Sequence, residues 1–70
     1  MGEAMYLVIF APEGACFGEL LYKGVAAHRF ADVENWAFDN TPEGYFVNCI
    51  QKEYAIGAGY DIDVELREGR

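Results

Sequence analysis

Three side chains in this sequence could support nucleophilic or metal chemistry: Cys16, Cys49 and the single histidine, His28. A catalytic thiol needs a neighbouring base to form its thiolate, and no flanking motif marks either cysteine as a nucleophile. Structural zinc sites pair their ligands at short spacings, which these three residues lack. We therefore expect no enzymatic activity and no zinc site. The cysteines are expected to be buried as small apolar residues, or to be joined by one disulfide bridge.

Two further motifs match ligand-binding loops only in part. The alternation Asp61-x-Asp63-x-Glu65 suits calcium, but an EF-hand loop has glycine at its sixth position and glutamate at its twelfth. The sixth position here is Leu66, and the twelfth would fall beyond Arg70. Gly57-Ala58-Gly59 lacks the lysine and the glycine spacing of a phosphate-binding loop, and it is typical of a hairpin turn or a helix end. The sequence therefore predicts no metal and no cofactor.

Acidic residues are the remaining candidates for a functional site. Four lie in a predicted helix and its exit, and three in a predicted C-terminal strand: Asp32, Glu34, Asp39 and Glu43, then Asp61, Asp63 and Glu65. The strand residues would point to one side at intervals of about 6.6–6.8 Å, twice the rise per residue. No lysine or arginine occurs between Ala31 and Val47. Such surfaces can replace a row of phosphates; the ordinary alternative is that they are solvated charges.

The overall charge limits the class of partner. Twelve acidic residues against five basic ones give a net charge of −7 and a pI near 4.3. Direct binding to nucleic acid or to anionic membranes is disfavoured, because both require lysine and arginine. The N-terminal residues lack the pattern of a secretion signal, and no apolar run approaches the roughly 20 residues of a membrane span. We expect a cytoplasmic protein, a monomer or a homodimer, with a basic partner.

The scaffold is predicted from an uninterrupted apolar run, Met5–Ala11, which ends at Pro12-Glu13-Gly14. A short run rich in β-branched and aromatic residues, apolar on both sides, predicts a central strand with both faces covered. The Pro-Glu-Gly turn predicts a hairpin into a second strand, Ala15–Lys23. A tight turn at Lys23-Gly24 would then lead into a third strand, Val25–Phe30.

The rest of the chain predicts one helix and at least two strands. Asp32 is expected to cap a helix that runs to about Asn40, with Val33, Trp36 and Ala37 facing inward. Thr41-Pro42-Glu43-Gly44 would end it. We expect a fourth strand from Tyr45 to about Gln51, helix or strand over 48–56, and an edge strand over 61–67. The prediction is a single α+β domain, residues 1–70, with an antiparallel sheet of four to five strands and one short helix packed on one face.

This layout resembles the small acidic phage-encoded inhibitors of CRISPR immunity (anti-CRISPR proteins). The resemblance covers length, charge and the order of a meander, a Trp-bearing helix (Phe30 to Phe38) and further strands. It implies a protein-binding inhibitor that mimics DNA and occupies a nucleic-acid path or a PAM-reading site with acidic surface. The alternative is an oligomeric adaptor that binds through an uncovered apolar sheet face, with four candidate contact residues: Tyr6, Phe10, Tyr22 and Tyr45.

Overall fold

The computed structural model describes residues 4–14, 19–53 and 62–66 and shows an α+β fold with one helix packed on a four-stranded sheet. The elements follow the chain as β1 (Ala4–Pro12), β2 (Leu21–Ala27), α1 (Phe30–Asp39), β3 (Tyr45–Glu53) and β4 (Val64–Glu65). The strand order is β3-β1-β2-β4. Both neighbours of β1 run antiparallel to it, whereas β4 runs parallel to β2. The predicted fold class is confirmed, with this one parallel pair as its departure from a purely antiparallel sheet.

Strand β1 lies in the centre of the sheet, as its apolar run predicts. Every residue of Met5–Ala11 is buried. Tyr6, Val8 and Phe10 belong to the core that contacts α1, and their neighbours in sequence point to the opposite face, since side chains alternate along a strand. Removing a large apolar side chain from water contributes about 1.5–3 kcal/mol. This strand therefore supplies much of the free energy that holds the sheet together.

The predicted turn at Lys23-Gly24 is wrong, because β2 is a single strand through that position. Lys23 pairs with Val8 and Gly24 pairs with Leu7, so the antiparallel ladder continues without interruption. A Lys-Gly pair permits a turn but does not require one, and the buried backbone of β1 needs hydrogen-bonding partners along its length. The two strands predicted on either side of the turn are therefore one, and residues 15–18 lie outside the described part of the chain.

Helix α1 begins two residues before the predicted cap. Arg29 occupies the N-cap position with φ −132° and ψ 142° and makes no side-chain capping hydrogen bond, so Asp32 lies in the first turn instead. The ring of Phe30 packs on that of Tyr6, with centroids 5.8 Å apart. Ring packing therefore anchors the first turn where a capping side chain was expected.

The inward stripe of α1 is confirmed. Val33 and Ala37 are fully buried, and Trp36 is half-buried with its ring 6.4 Å from that of Phe10. The helix ends at Asp39, where the Asn40 backbone N–H donates to carbonyls in the last turn. The Asn40 side-chain amide and the Thr41 hydroxyl also donate to carbonyls of that turn, each at 2.8 Å. These bonds satisfy acceptors that a helix end would otherwise leave open.

Strand β3 extends the predicted fourth strand to Glu53. The open choice between helix and strand after Asn48 is resolved as strand up to that residue, and residues 54–56 lie outside the described ranges. Ile9 pairs with Cys49 but Phe10 pairs with Val47, so Asn48 is an extra residue in β3. This bulge reverses the alternation of side chains. It explains why Val47 and Ile50, three residues apart, both pack on the core.

Strand β4 is an edge strand, as predicted, but it is short. Only Val64–Glu65 is in the strand, whereas the predicted element covered 61–67; residues 61 and 67 lie outside the described ranges. Val64 and Leu66 pack on the core, while Glu65 is exposed. The Leu66 N–H donates to the Ala26 carbonyl at 2.9 Å, which extends the parallel pairing with β2 beyond the strand itself.

Candidate interaction surface

Four of the predicted acidic residues lie on α1 and its exit. We call Asp32, Glu34, Asp39 and Glu43 the helix acidic surface. Glu34, Asp39 and Glu43 are exposed and Asp32 is partly exposed. At 100° per residue, Asp32 and Asp39 share one flank of the helix and Glu34 lies on the other. Asp32 and Asp39 are seven residues apart, about two turns or roughly 10.5 Å along the axis.

The C-terminal end of α1 is the more negative end. Asp39 lies in the last turn, no basic residue occupies that turn, and Glu43 follows in the exit. The helix dipole places a further partial negative charge at this end. The negative end of the dipole repels carboxylates placed there, which slightly lowers the stability of the helix. The same concentration of negative charge strengthens the attraction for a cationic partner.

Glu13 lies beside this end through a backbone hydrogen bond just beyond the β1–β3 pairing, and sequence reasoning did not include it. Its backbone N–H donates to the Gly44 carbonyl at 2.9 Å, next to Glu43, and Glu13 is itself exposed. Both glutamates stand in the same tripeptide, Pro-Glu-Gly, at 12–14 and 42–44. Gly14 and Gly44 both have positive φ, 72° and 84°. Each of these two turns therefore carries an exposed glutamate, and their backbones are joined by one hydrogen bond.

At the other end of α1, a cation lies beside Asp32. The Arg29 Nε is 3.7 Å from the Asp32 Oδ2, and the Arg29 side chain is 66% exposed. Exposed pairs of this kind contribute about 0–1 kcal/mol. The pair partly neutralises Asp32, so the negative field of the helix acidic surface is strongest from Glu34 towards Glu43.

The C-terminal acids do not join the helix acidic surface. Glu65 pairs with Ala26 and lies between Val64 and Leu66, which both pack on the helix side of the sheet. By the alternation of strand side chains, Glu65 and Asp63 point to the other face. Asp61 lies outside the described residues. The six predicted acids that the structure describes therefore divide between two sides of the molecule.

Asp63 has a role that the sequence did not indicate. Its carboxylate Oδ2 accepts a hydrogen bond from the Gly24 N–H at 2.9 Å, and its own N–H donates to the Gly24 carbonyl at 2.7 Å. These two bonds join the start of β4 to the middle of β2, residues far apart in the chain. The Asp63 carboxylate thus makes a hydrogen bond within the fold, and within the helix acidic surface only Asp32 has a described ion pair, with Arg29.

The apolar face proposed for an adaptor is only partly available. Tyr6 and Phe10 are buried in the core, so their predicted role as contact residues is wrong, and Tyr45 is half-buried against that core. Tyr22 is exposed. The other exposed large apolar side chains of the described residues are Leu20, Phe30, Phe38, Phe46 and Ile62. The aromatic residues predicted for binding mostly build the core, because β1 has both of its faces covered.

Of the residues first considered for chemistry, the structure describes Cys49 and His28, and these lie at different strands of the sheet. Cys49 is a half-buried free thiol on β3, paired with Ile9, and His28 is exposed at the end of β2. Cys16 lies outside the described ranges. Within those ranges, no three His, Cys, Asp or Glu side chains cluster in a way that could hold a metal ion.

The described part of the chain contains no helix with the length and apolar character needed to cross a bilayer. Comparisons of the chain with models of protein families, with curated proteins and with solved structures found no match.

Proposed function

We propose that this protein is a non-enzymatic, cytoplasmic inhibitor that binds the basic nucleic-acid-binding site of another protein through its helix acidic surface. The observation that carries the proposal is the placement of four carboxylates on a helix and its exit, with no lysine or arginine between Ala31 and Val47. The resemblance to anti-CRISPR proteins supplies one class of partner, a CRISPR effector complex, as a prediction.

Rigid support of the helix favours this role. Val33 and Ala37 are fully buried on the side of α1 that faces the sheet, and the Trp36 ring packs on that of Phe10. The carboxylates are therefore held at set separations before any partner arrives, which lowers the ordering cost of binding. A net charge of −7 also attracts a basic groove over several ångströms and accelerates encounter.

The predicted acids do not contribute equally to the proposed contact surface. Asp63 is set aside, because its carboxylate already accepts a hydrogen bond within the sheet. Glu65 is free to bind but faces the other side of the molecule. Glu13 is added, since its backbone is bonded to Gly44 beside Glu43. The contact surface we propose runs from Glu34 to Glu43, with Glu13 next to its C-terminal end.

Two matched double variants test the position of the charge separately from its amount. Glu34→Lys with Asp39→Lys changes the helix acidic surface, and Glu19→Lys with Glu65→Lys changes exposed acids outside it. Each substitution adds two positive charges, so four are added in both cases and the net charge moves from −7 to −3. We expect the helix variant to weaken partner binding by at least about 30-fold, on the order of 2 kcal/mol. The control variant should remain within a few-fold of wild type.

The measurement is capture of partners from a lysate of the source organism on the immobilised protein, at low and at high salt. The binding constant of the captured partner is then determined with each variant. Contact through exposed charges should weaken steeply with salt. Equal loss in both double variants would mean that net charge alone drives association, and unchanged binding in the helix variant would overturn the proposal.

The second candidate, an adaptor that associates through the sheet, is supported by two exposed rings. Tyr22 and Phe46 pair with Ile9 and Ala11 of β1, on the face away from α1. An apolar contact there would persist at high salt, because burial of apolar area is not screened. Light scattering on the pure protein distinguishes this candidate, since it predicts a dimer that Phe46→Glu converts to a monomer.

A further inference from the structure

Helix α1 exposes aromatic rings beside its carboxylates. Phe38 is 68% exposed and Phe30 is 45% exposed, and Phe38 is the most exposed large apolar side chain of the described residues. A phenyl ring in water gains nothing for folding. Exposed aromatic side chains within a charged surface are a common feature of binding surfaces, where a few aromatic residues contribute most of the affinity.

The rings and the carboxylates follow a regular pattern on the helix. Phe30, Glu34 and Phe38 are spaced by four residues and form one stripe, with the two rings about 12 Å apart along the axis. Asp32 and Asp39 lie on the opposite flank. The Phe30 ring is held in place by its contact with Tyr6. The helix thus presents two aromatic rings with the Glu34 carboxylate between them and two further carboxylates on its other flank.

This pattern distinguishes between two kinds of basic groove. A duplex hides the faces of its bases in the stack, so a surface that replaces a duplex needs charge and gains nothing from exposed rings. A single strand presents phosphates and unstacked bases together. Proteins that bind single strands combine a positive groove with aromatic side chains on which the bases stack.

From this charge and ring complementarity, we propose that the partner is a single-stranded nucleic-acid-binding protein. Phe30 and Phe38 take the positions of stacked bases, and the neighbouring carboxylates take the positions of phosphates. This inference rests on the proposed function and narrows it, since a duplex-binding partner would satisfy that function but not this inference.

The first test compares two competitors. The partner captured from the lysate is held on the immobilised protein and eluted with a single-stranded thymidine oligonucleotide, or with a hairpin duplex at equal phosphate concentration. We expect the single strand to elute at a concentration at least about tenfold lower, the equivalent of one stacked base. Equal or better elution by the duplex would overturn the inference and leave the proposed function standing. Elution by salt but by neither nucleic acid would contradict the proposed function itself.

The second test uses paired phenylalanine variants. Phe38→Ala should weaken binding of the captured partner by about 5- to 150-fold, the range measured for loss of one stacked aromatic contact. The dependence of the binding constant on salt should stay as in wild type, because no charge changes. Phe38→Tyr keeps the ring and should restore binding. Leu20→Ala removes an apolar side chain that is 44% exposed outside α1 and should have no effect.

Two results would contradict the role of Phe38. One is unchanged affinity of Phe38→Ala, and the other is an equal loss in Leu20→Ala. A folding artefact is controlled by circular dichroism, since alanine favours the helix more than phenylalanine does. Phe38→Leu supplies an apolar side chain without a ring. Full affinity in that variant would indicate a general apolar contact and would overturn the stacking mechanism.

Discussion

The helix acidic surface and the acids around β4 contain the same residue types but use them differently. Asp63 accepts a hydrogen bond from Gly24 and joins two strands, whereas Glu34, Asp39 and Glu43 stand exposed on the helix and its exit. Beside β4 the Asp63 carboxylate contributes to the fold, whereas the three carboxylates on the helix and its exit are available to a partner. The density of acidic residues along a sequence therefore does not show which carboxylates are free to bind a partner.

Weakening the packing of α1 on the sheet should produce the largest loss of stability. Trp36→Ala removes the ring that packs on Phe10, and we expect the free energy of unfolding to fall by about 2–3 kcal/mol, below the cost of a fully buried aromatic because Trp36 is half-buried. The charge of the protein does not change. Partner binding should nevertheless weaken, since the carboxylates lose their support. Urea unfolding followed by fluorescence is not suitable without this tryptophan, so circular dichroism is the measurement.

Removing the Asp63 carboxylate should have the next largest effect on stability. Asp63→Ala leaves the Gly24 N–H without its acceptor, and we expect a loss of about 1–2 kcal/mol. Asp63→Asn keeps an acceptor oxygen and should lose less. Glu65→Ala is the matched control, because an exposed side chain away from special contacts usually changes stability by less than about 0.5 kcal/mol. The structural role of Asp63 is contradicted if Asp63→Ala and Glu65→Ala unfold at the same urea concentration.

Amide hydrogen exchange would show separately how the Asp63→Ala substitution affects Gly24 and how it affects α1. In Asp63→Ala the Gly24 amide should exchange faster than in wild type, because its hydrogen bond is lost. Amides of α1 should keep their wild-type rates. Faster exchange throughout the protein would instead indicate a global loss of stability, with no special role for this bond.

Asp39 should show the smallest effect, and one of opposite sign. Its carboxylate lies in the last turn of α1, where the helix dipole is negative, so Asp39→Asn should stabilise the protein by about 0.3–1 kcal/mol. Asp32→Asn should destabilise it by a similar amount, because Asp32 lies in the first turn and pairs with Arg29. Thermal unfolding of the two variants is the measurement. A stability gain in Asp39→Asn together with weaker partner binding would indicate that this carboxylate serves function at a cost to the fold.

Sequence patterns predicted the parts of the fold that depend on local composition. The apolar run Met5–Ala11 predicted the central strand, and Val33 and Ala37 predicted the buried side of α1; both are confirmed. Patterns failed where a long-range pairing decided the outcome. Lys23 and Gly24 pair with β1 and do not form the expected turn. No local sequence pattern predicts that β4 runs parallel to β2.

By itself, the sequence determined that the protein is acidic, that one strand is covered on both faces and that one helix has a narrow apolar side. Only the tertiary structure decided which acids lie together. It placed Glu13 beside the exit of α1, separated Glu65 from the helix acidic surface and engaged Asp63 with Gly24, 39 residues away in the chain. The physical reason is that charge and periodicity are properties of neighbouring residues. Strand pairing instead brings together residues that are far apart in the chain, and local sequence patterns do not predict such contacts.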